Sequence, residues 1–226
     1  MEQRSIALDG PSGAGKSTLA RKVAKHFKLI YVDTGALYRC VALHVLRNGV
    51  SVRDENSVVR LLPDIDIEMK YDDEGAQRMI LNGEDVTDSI RSPEVSMGAS
   101  DVSALPPVRE FLMSTQRSMA EKYDVVMDGR DIGTVVLPNA GLKVFLTADP
   151  DARARRRHLE LMEKNVQTTF EEVKSDMALR DKNDSEREAA PLRPASDSIT
   201  LDTTDLDFEE SFVALCELII KSAVTA

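Results

Sequence analysis

Short apolar runs alternate with amphipathic segments along the first fifty residues. Residues 5–8 predict a strand, and apolar side chains then recur every four residues from Leu19 to Phe27, the spacing of one helix face. Residues 29–32 predict a second strand and residues 36–48 a second helix. Because strand and helix alternate, this part of the chain predicts a parallel sheet flanked by helices.

The pattern changes at about residue 64. Apolar and charged residues alternate over 65–70, and an apolar run at 79–81 is followed by Asn82 and Gly83, the pair that favours a tight hairpin turn. A Ser-Pro pair at 92 and 93 then has the form of a helix start. We therefore expect a small antiparallel insert over about 64–92.

The parent pattern resumes after the insert. Capping pairs at Thr169 with Glu172 and at Asp207 with Glu210 predict the starts of two helices, and a further helix begins after Asp149. The remaining predicted elements are a helix over 108–122 and strands at 125–127, 142–146 and 199–201. A doubly wound parallel α/β sheet is the predicted fold class.

Composition narrows the functional class. The 226 residues are 42% hydrophobic and 30% charged, as in one compact globular enzyme, and the chain has no apolar run of membrane-spanning length. We expect no membrane association and, without a visible secretory signal, a cytoplasmic protein. The net charge of −10 disfavours a nucleic-acid polymer as partner. Two cysteines and three scattered histidines predict neither disulfides nor a metal cluster.

Residues 10–17 fill the pattern G-x-x-x-x-G-K-[ST] between a predicted strand and a predicted helix, the context that a phosphate-binding loop requires. Its backbone N–H groups and Lys16 suit phosphate oxygens, and Ser17 suits Mg²⁺. The alternative is a glycine-rich turn without a ligand. The predicted ATP-binding residues are Gly10, Pro11, Ser12, Gly13, Ala14, Gly15, Lys16, Ser17 and Thr18.

A phosphate-binding loop is shared by kinases, regulatory GTPases and ATP-driven motors. GTPases select guanine with Asn-Lys-x-Asp, whereas residues 181–184 here read Asp-Lys-Asn-Asp, the same residue types in another order. This difference disfavours a GTPase switch.

Polar residues follow two predicted strands at the sheet edge where the loop lies. Thr34 and Arg39 follow the second strand, and Arg39 can hold a phosphate; alternatively Thr34 only caps a helix. Asp128, Arg130 and Asp131 end a fully apolar strand, where Asp128 can orient Mg²⁺, Arg130 can bind phosphate and Asp131 can accept from an amine. A surface turn is the alternative.

Charges continue an apolar stripe on the helix that follows Thr169. Arg180, Asp184 and Arg187 extend the face that begins at Phe170, so they either pair or line an anion pocket. The alternative is that the helix frays near Asn183. Arginines clustered over 153–157 are weaker candidates for an anion site, because exposed helices often carry arginine.

These segments together resemble the bacterial cytidylate kinases, a family of nucleoside-monophosphate kinases, from Ile6 to the last helix. The resemblance is carried by residues 9–16, 33–39, 128–136 and 180–192. It implies a P-loop NTPase-type fold that transfers the γ-phosphoryl group of ATP, with Mg²⁺, to CMP or dCMP. It also implies a core (about 1–63, 93–150 and 190–226), a monophosphate-binding insert (64–92) and an arginine-bearing helical lid (151–189).

The resemblance also assigns roles by position. Ser100, Arg109 and Asp131 would read cytosine; Arg39, Arg130 and Arg187 would hold the acceptor phosphate, with Thr34 beside them; Arg180 and Asp184 would meet the sugar. From the residues themselves, we expect Lys16 with the arginines Arg153 and Arg157 to be catalytic, and Ser17 and Asp128 to hold Mg²⁺. Thr34 stands where serine is also usual, and Ser17 stands where many monophosphate kinases have glycine.

Other functions remain open on the residues alone. A kinase for UMP, AMP or a sugar-like alcohol is the nearest alternative, although Arg39 and Arg130 favour an acceptor that already carries phosphate. A nucleotide-binding regulatory module is the alternative from another class. We expect a monomer.

Overall fold

The computed structural model describes residues 4–163 and 165–225. Residues 1–3 and 226, at the ends of the predicted core, and Lys164 in the predicted lid lie outside the described residues. The strands are β1 (Ser5–Asp9), β2 (Ile30–Asp33), β3 (Ile67–Tyr71), β4 (Gln77–Leu81), β5 (Glu84–Asp85), β6 (Val125–Gly129), β7 (Leu142–Thr147) and β8 (Ile199–Asp202). The helices are α1 (Lys16–Phe27), α2 (Thr34–Arg47), α3 (Glu55–Leu61), α4 (Pro93–Ser103), α5 (Pro106–Lys122), α6 (Pro150–Glu163), α7 (Phe170–Glu186) and α8 (Phe208–Thr225).

The larger sheet has five parallel strands in the order β2-β6-β1-β7-β8. Ile6 and Leu8 on one face pack with α1 and α8, while Ala7 on the other packs in a cluster that includes side chains of α5. Helices on both faces confirm the predicted doubly wound sheet. The register sets Asp33 beside Asp128 and Asp9 beside Gly129, so the polar ends of three strands share one edge.

The smaller sheet is antiparallel, in the order β3-β4-β5. Asn82 and Gly83 both have positive φ, 50° and 84°, as the two-residue hairpin turn between β4 and β5 requires. This sheet is fastened to β2 by two side chains. Tyr71 donates its hydroxyl to the Tyr31 carbonyl at 3.0 Å, and the Gln77 side-chain oxygen accepts from the Asp33 N–H at 2.9 Å. The insert therefore reaches the polar edge of the large sheet.

Helices α6 and α7 pack on one another through Ala154, Val173 and Met177. The capping box of Thr169 and Glu172 is present, and α7 continues without a break to Glu186. Fraying near Asn183 is therefore wrong. None of the helices within residues 4–163 and 165–225 is both long and apolar enough to cross a bilayer.

Several short elements were not predicted from the sequence, among them α3 and the turn after β6. Helix α3 has seven residues and buries Val58 alone, so it carries too little periodicity to detect. Residues Ile132–Val136 form a π-helical turn directly after β6. The helix predicted to begin at 108 begins at Pro106, since proline fits the first helical turn, where its missing N–H leaves no bond unmade.

Candidate functional site

One cavity of about 1370 Å³ opens along the polar edge of the large sheet. The phosphate loop, the ends of β2 and β6, the insert, α4 and α7 surround it. Its volume exceeds what a single small ligand fills. Predicted site residues that line it are Ser12, Gly13, Ala14, Gly15, Lys16, Ser17, Thr18, Thr34, Arg39, Ser100, Arg109, Asp128, Arg130, Asp131, Arg157, Arg180, Asp184 and Arg187, whereas Gly10, Pro11 and Arg153 do not.

The phosphate loop joins β1 to the N-terminus of α1. Lys16 is buried and donates its ammonium to the Pro11 carbonyl at 2.7 Å, which folds the side chain back over the loop. Burial, and after it the neighbouring Arg130, hold the pKa of Lys16 well below its usual range. At Gly10, with φ +150°, a β-carbon would overlap the Leu146 carbonyl of β7. The loop therefore holds one desolvated lysine side chain, that of Lys16, against its own backbone.

Asp128 lies beside the loop with both carboxylate oxygens bonded. Ser17 donates its hydroxyl to one oxygen at 2.7 Å and Tyr31 to the other at 3.0 Å, while Thr34 donates to the Asp128 backbone carbonyl at 2.8 Å. Burial, and then Asp33, raise the pKa of Asp128. A hydroxyl and a carboxylate at a phosphate loop fit Mg²⁺, which takes one or two protein oxygens and completes its shell with water and phosphate. Among the described residues no three His, Cys, Asp or Glu side chains converge as a metal cage.

Asp33 gathers two arginines at the end of β2. Arg39 contacts its carboxylate at 2.9 Å and Arg91, at the end of the insert, at 3.1 Å. Burial opposes ionisation of Asp33, but these arginines outweigh it, so its pKa is lowered. The Nε atoms of Arg39 and Arg180 are buried without a hydrogen-bond partner. Unpaired guanidinium nitrogens that line a cavity suit an incoming anion.

Asp184 of α7 forms a second charge cluster. Arg130 Nε lies 2.8 Å from its carboxylate, and Ser100 of α4 donates to it at 3.1 Å. Burial works against ionisation of Asp184, yet Arg130 and Arg180 prevail and lower its pKa. Burial, and then Arg130, also lower the pKa of Arg180 to about 10. The charged continuation of the α7 stripe therefore faces the cavity, one of the two outcomes that the sequence left open.

Asp131 is the centre of a third cluster and is 4% exposed. Arg109 of α5 contacts one of its carboxylate oxygens, and Arg187 contacts the other at 3.3 Å. Arg187 also donates to the Ser103 hydroxyl at 2.8 Å. Burial raises the pKa of Asp131 in spite of both arginines. The structure thus brings the three predicted base and phosphate contacts Arg109, Asp131 and Arg187 together.

Arg153, one of the predicted catalytic residues, does not line the cavity. Its guanidinium donates to the carbonyls of Ala148 at 3.0 Å and Ser12 at 2.8 Å, and it pairs with Asp181 at 2.5 Å. Asp181 also accepts from the Ser12 N–H at 3.0 Å. The inner face of α6 directs the side chain to these carbonyls, so Arg153 ties the loop to α7. Arg157 lines the cavity and pairs with Glu160 at 2.7 Å.

Several residues at this edge were missed by the sequence analysis. Asp9 and Asp33 end parallel strands as Asp128 does, so the strand-end rule that selected Asp128 was sufficient to find them. Tyr31, Arg91 and Asp181 carry no comparable signal, because each reaches the site through tertiary packing.

Comparison with known proteins agrees with this geometry. A family model described as cytidylate kinase matches residues 6–223. The cytidylate kinase of Carboxydothermus hydrogenoformans is 51% identical over 214 residues, 95% of this chain and 96% of that protein. The cytidylate kinase of Caldicellulosiruptor bescii is 49% identical over 221 residues, 98% and 97% of the two chains.

Among solved structures, an uncharacterized protein from Eubacterium ventriosum has a TM-score of 0.53 at 14% identity, covering 95% of this chain and 97% of that one, which supports the fold alone. The family match, over residues 6–223, extends over both sheets and all of the cavity walls described above. The chain belongs to the cytidylate kinase family.

Proposed function

We propose that this chain transfers the γ-phosphoryl group of ATP to CMP or dCMP, giving ADP and CDP or dCDP. The observation that carries the proposal is one cavity with a phosphate-binding loop at one end and three arginine-carboxylate clusters at the other, in a chain that belongs to the cytidylate kinases. A loop alone accounts for a nucleotide donor, and the clusters account for an acceptor that already carries an anion.

The donor end binds the ATP phosphates through the loop and helix start at residues 10–18, of which residues 12–18 line the cavity. Lys16 must leave the Pro11 carbonyl and turn to the phosphates, and their negative charge restores a normal environment for its buried ammonium. Ser17 and Asp128 would hold Mg²⁺, which neutralises charge on the phosphates when bound. Arg157 lines the cavity and would stabilise charge on the transferred group, whereas Arg153 holds the loop through Ser12.

The acceptor end binds the CMP phosphate through Arg39, Arg130 and Arg187. In the free protein each of these arginines pairs with a carboxylate, at Asp33, Asp184 and Asp131. A phosphate dianion offers bidentate geometry to the same guanidinium groups, so binding exchanges or shares partners instead of desolvating bare cations. The carboxylates therefore keep the arginines oriented until substrate arrives.

Base and sugar contacts follow from the other members of the clusters. Ser100, Arg109 and Asp131 would contact cytosine, with Asp131 accepting from the exocyclic amine. Uracil has a carbonyl at that position, which would face the carboxylate oxygen without a proton between them. Arg180 and Asp184 would contact the sugar, and Thr34 fixes the end of β6 beside it.

No general base is needed for this reaction, because the attacking phosphate oxygen is ionised at neutral pH. The protein's task is to place the two phosphates in line and to stabilise the charge that spreads over the transferred group while water is excluded. We propose that the insert and the α6-α7 pair complete the site when both substrates are bound.

The decisive experiment measures ADP release with ATP and Mg²⁺ against CMP, dCMP, UMP and AMP in parallel. We expect turnover with CMP and dCMP and a much lower kcat/KM for UMP and AMP. Preference for AMP or UMP would replace the assignment of the acceptor, and nucleotide binding without any turnover would favour a regulatory module.

The proposal also includes a cytoplasmic monomer whose partners are small nucleotides. The net charge of −10 supports the absence of a nucleic-acid polymer among those partners. Sedimentation of the purified chain across a range of concentrations tests the monomer, and a mass twice that of the 25.0 kDa chain would contradict it.

A further inference from the structure

Asp9 is a buried carboxylate that the proposed reaction does not use. It ends β1, directly before the first glycine of the phosphate loop, and is 5% exposed. One carboxylate oxygen accepts from the Ile132 N–H at 2.8 Å and the other from the Gly133 N–H at 2.7 Å. Asp9 therefore bonds the strand that carries the donor loop to the segment that follows Asp131.

Those two N–H groups belong to the first residues of the π-helical turn Ile132–Val136. The first N–H groups of a helical turn have no partner within it. The Asp131 carbonyl accepts from Val135 at 2.9 Å and Val136 at 3.2 Å, so Asp131 is the residue from which this turn begins. Any shift of the turn moves the Asp131 side chain, and Asp9 supplies the bonds that hold its first N–H groups.

The other end of the turn is held by a charge of opposite sign. Arg117 of α5 donates to the carbonyls of Val136 and Val135, each at 3.1 Å. A carboxylate on the N–H end and a guanidinium on the carbonyl end both match the dipole of the turn. Two independent side chains therefore fix one short element, and π-helical turns of this kind are frequent at functional sites.

We infer that Asp9 is a positioning residue that holds Asp131 in register with the phosphate loop, so that the donor loop and the base-contacting carboxylate keep a fixed distance. This role rests on the proposed function, in which Asp131 contacts cytosine. Arg117 assists from the far end of the turn. Neither residue is assigned a contact with substrate.

The main test is Asp9→Asn, which keeps the size of the side chain but places an NH₂ group against one of the two backbone N–H groups. We expect KM for CMP to rise by about tenfold and the CMP-over-UMP ratio of kcat/KM to fall by about the same factor, with KM for ATP changed by less than about twofold. A residue that only supported the fold would lower activity with both substrates alike.

The second variant is Arg117→Met, because Arg117 is exposed and its loss leaves the core intact. We expect the CMP-over-UMP ratio to fall by about threefold without a change in KM for ATP. Lys122→Met, at an exposed position on the same helix, is the matched control and should keep the wild-type ratio. If Asp9→Asn does not fold, the difference between these two variants decides the inference.

Three results separate the inference from the proposed function. A wild-type chain that turns over no CMP overturns both. An active wild type beside an Asp9→Asn enzyme with unchanged KM for CMP and unchanged discrimination overturns the positioning role alone. A rise in KM for ATP as large as that for CMP also overturns it, since Asp9 would then act on the loop and not on Asp131.

Discussion

The two ends of the cavity are lined by different kinds of protein group, backbone at one and side chains at the other. The donor end is largely backbone: the phosphate loop and the first turn of α1, with Lys16 as its buried cation. The acceptor end is made of side chains, with Arg39, Arg130 and Arg187 each paired to a buried carboxylate. Backbone N–H groups suit the phosphates of any nucleoside triphosphate. Arginine-carboxylate ion pairs, in contrast, can discriminate acceptors by shape and charge.

This difference also determines how strongly substitutions at each end affect the free energy of unfolding. Backbone N–H groups need no counter-ion, but a guanidinium removed from water does, and breaking a buried ion pair is strongly destabilising. Substitutions at the donor end should therefore change the rate with little effect on stability. Substitutions at the acceptor end should change both substrate affinity and the free energy of unfolding.

Lys16→Met tests the donor end and has the largest expected effect. The loss of the cation at the transferred phosphate should lower kcat by about 10²- to 10³-fold, with little change in melting temperature. ADP release and a thermal melt measure both quantities. Lys122→Met is the control, and near-normal turnover of a folded Lys16→Met enzyme would contradict the mechanism.

Arg39→Met tests the acceptor end. Removing the guanidinium that we propose as a ligand of the acceptor phosphate should raise KM for CMP by about 30- to 100-fold and leave KM for ATP nearly unchanged. Arg47→Met is the matched control on the same helix, because Arg47 pairs with exposed Glu84 away from the cavity. Equal increases in both KM values would mean that the two ends are not separate.

Asp131→Asn tests how the acceptor end distinguishes cytosine from uracil. An amide can donate to the uracil carbonyl as well as accept from the cytosine amine, so the CMP-over-UMP ratio of kcat/KM should fall by about tenfold. The lost charge also leaves Arg109 and Arg187 without their shared carboxylate, so the melting temperature should fall. An unchanged ratio would remove Asp131 from base recognition.

The smallest effect is a titration at the junction of the two ends. Burial raises the pKa of Asp9 from 3.8 to about 6, although two backbone N–H groups oppose the shift. As the pH falls through about 6, Asp9 gains a proton and can no longer accept fully from both Ile132 and Gly133. The amide NMR shifts of these two residues should titrate with a pKa of about 6 in the substrate-free protein, and Asp9→Asn should abolish the titration.

The sign of the stability effect follows from the same shift. Between pH 3.8 and about 6 the unfolded chain has released the Asp9 proton while the folded chain retains it. The contribution of Asp9 to the free energy of unfolding therefore decreases as the pH rises through this window. A comparison of wild-type and Asp9→Asn melts at pH 4.5 and 7 measures it.

The fold was predictable where local signals agreed with tertiary packing. The strand before the loop, the hairpin at Asn82 and Gly83, and the capping box at Thr169 all follow from short-range chemistry. The π-helical turn Ile132–Val136 was not predictable, because its wider ring depends on Asp9 and Arg117, which lie far from it in sequence.

The candidate site divides in the same way. The strand-end rule placed Asp128 and Asp131 at the cavity, and helical spacing placed Arg180 and Asp184 there. The direction of a long side chain is not set by spacing, which is why Arg153 was predicted at the cavity but lies against Ser12 and Asp181. Catalytic and substrate-binding roles at these positions stay predictions until the variants are measured.

Gly10, the first residue of the phosphate loop, has a structural role in the large sheet. The glycine that opens the loop does not line the cavity, and a side chain there would press on the Leu146 carbonyl and part β1 from its neighbour β7. The first glycine of the motif that identifies nucleotide sites is thus required here because it lets two strands approach closely. A substitution of that glycine would lower the affinity for ATP, but the cause would be the separation of β1 from β7 and not the loss of a phosphate contact.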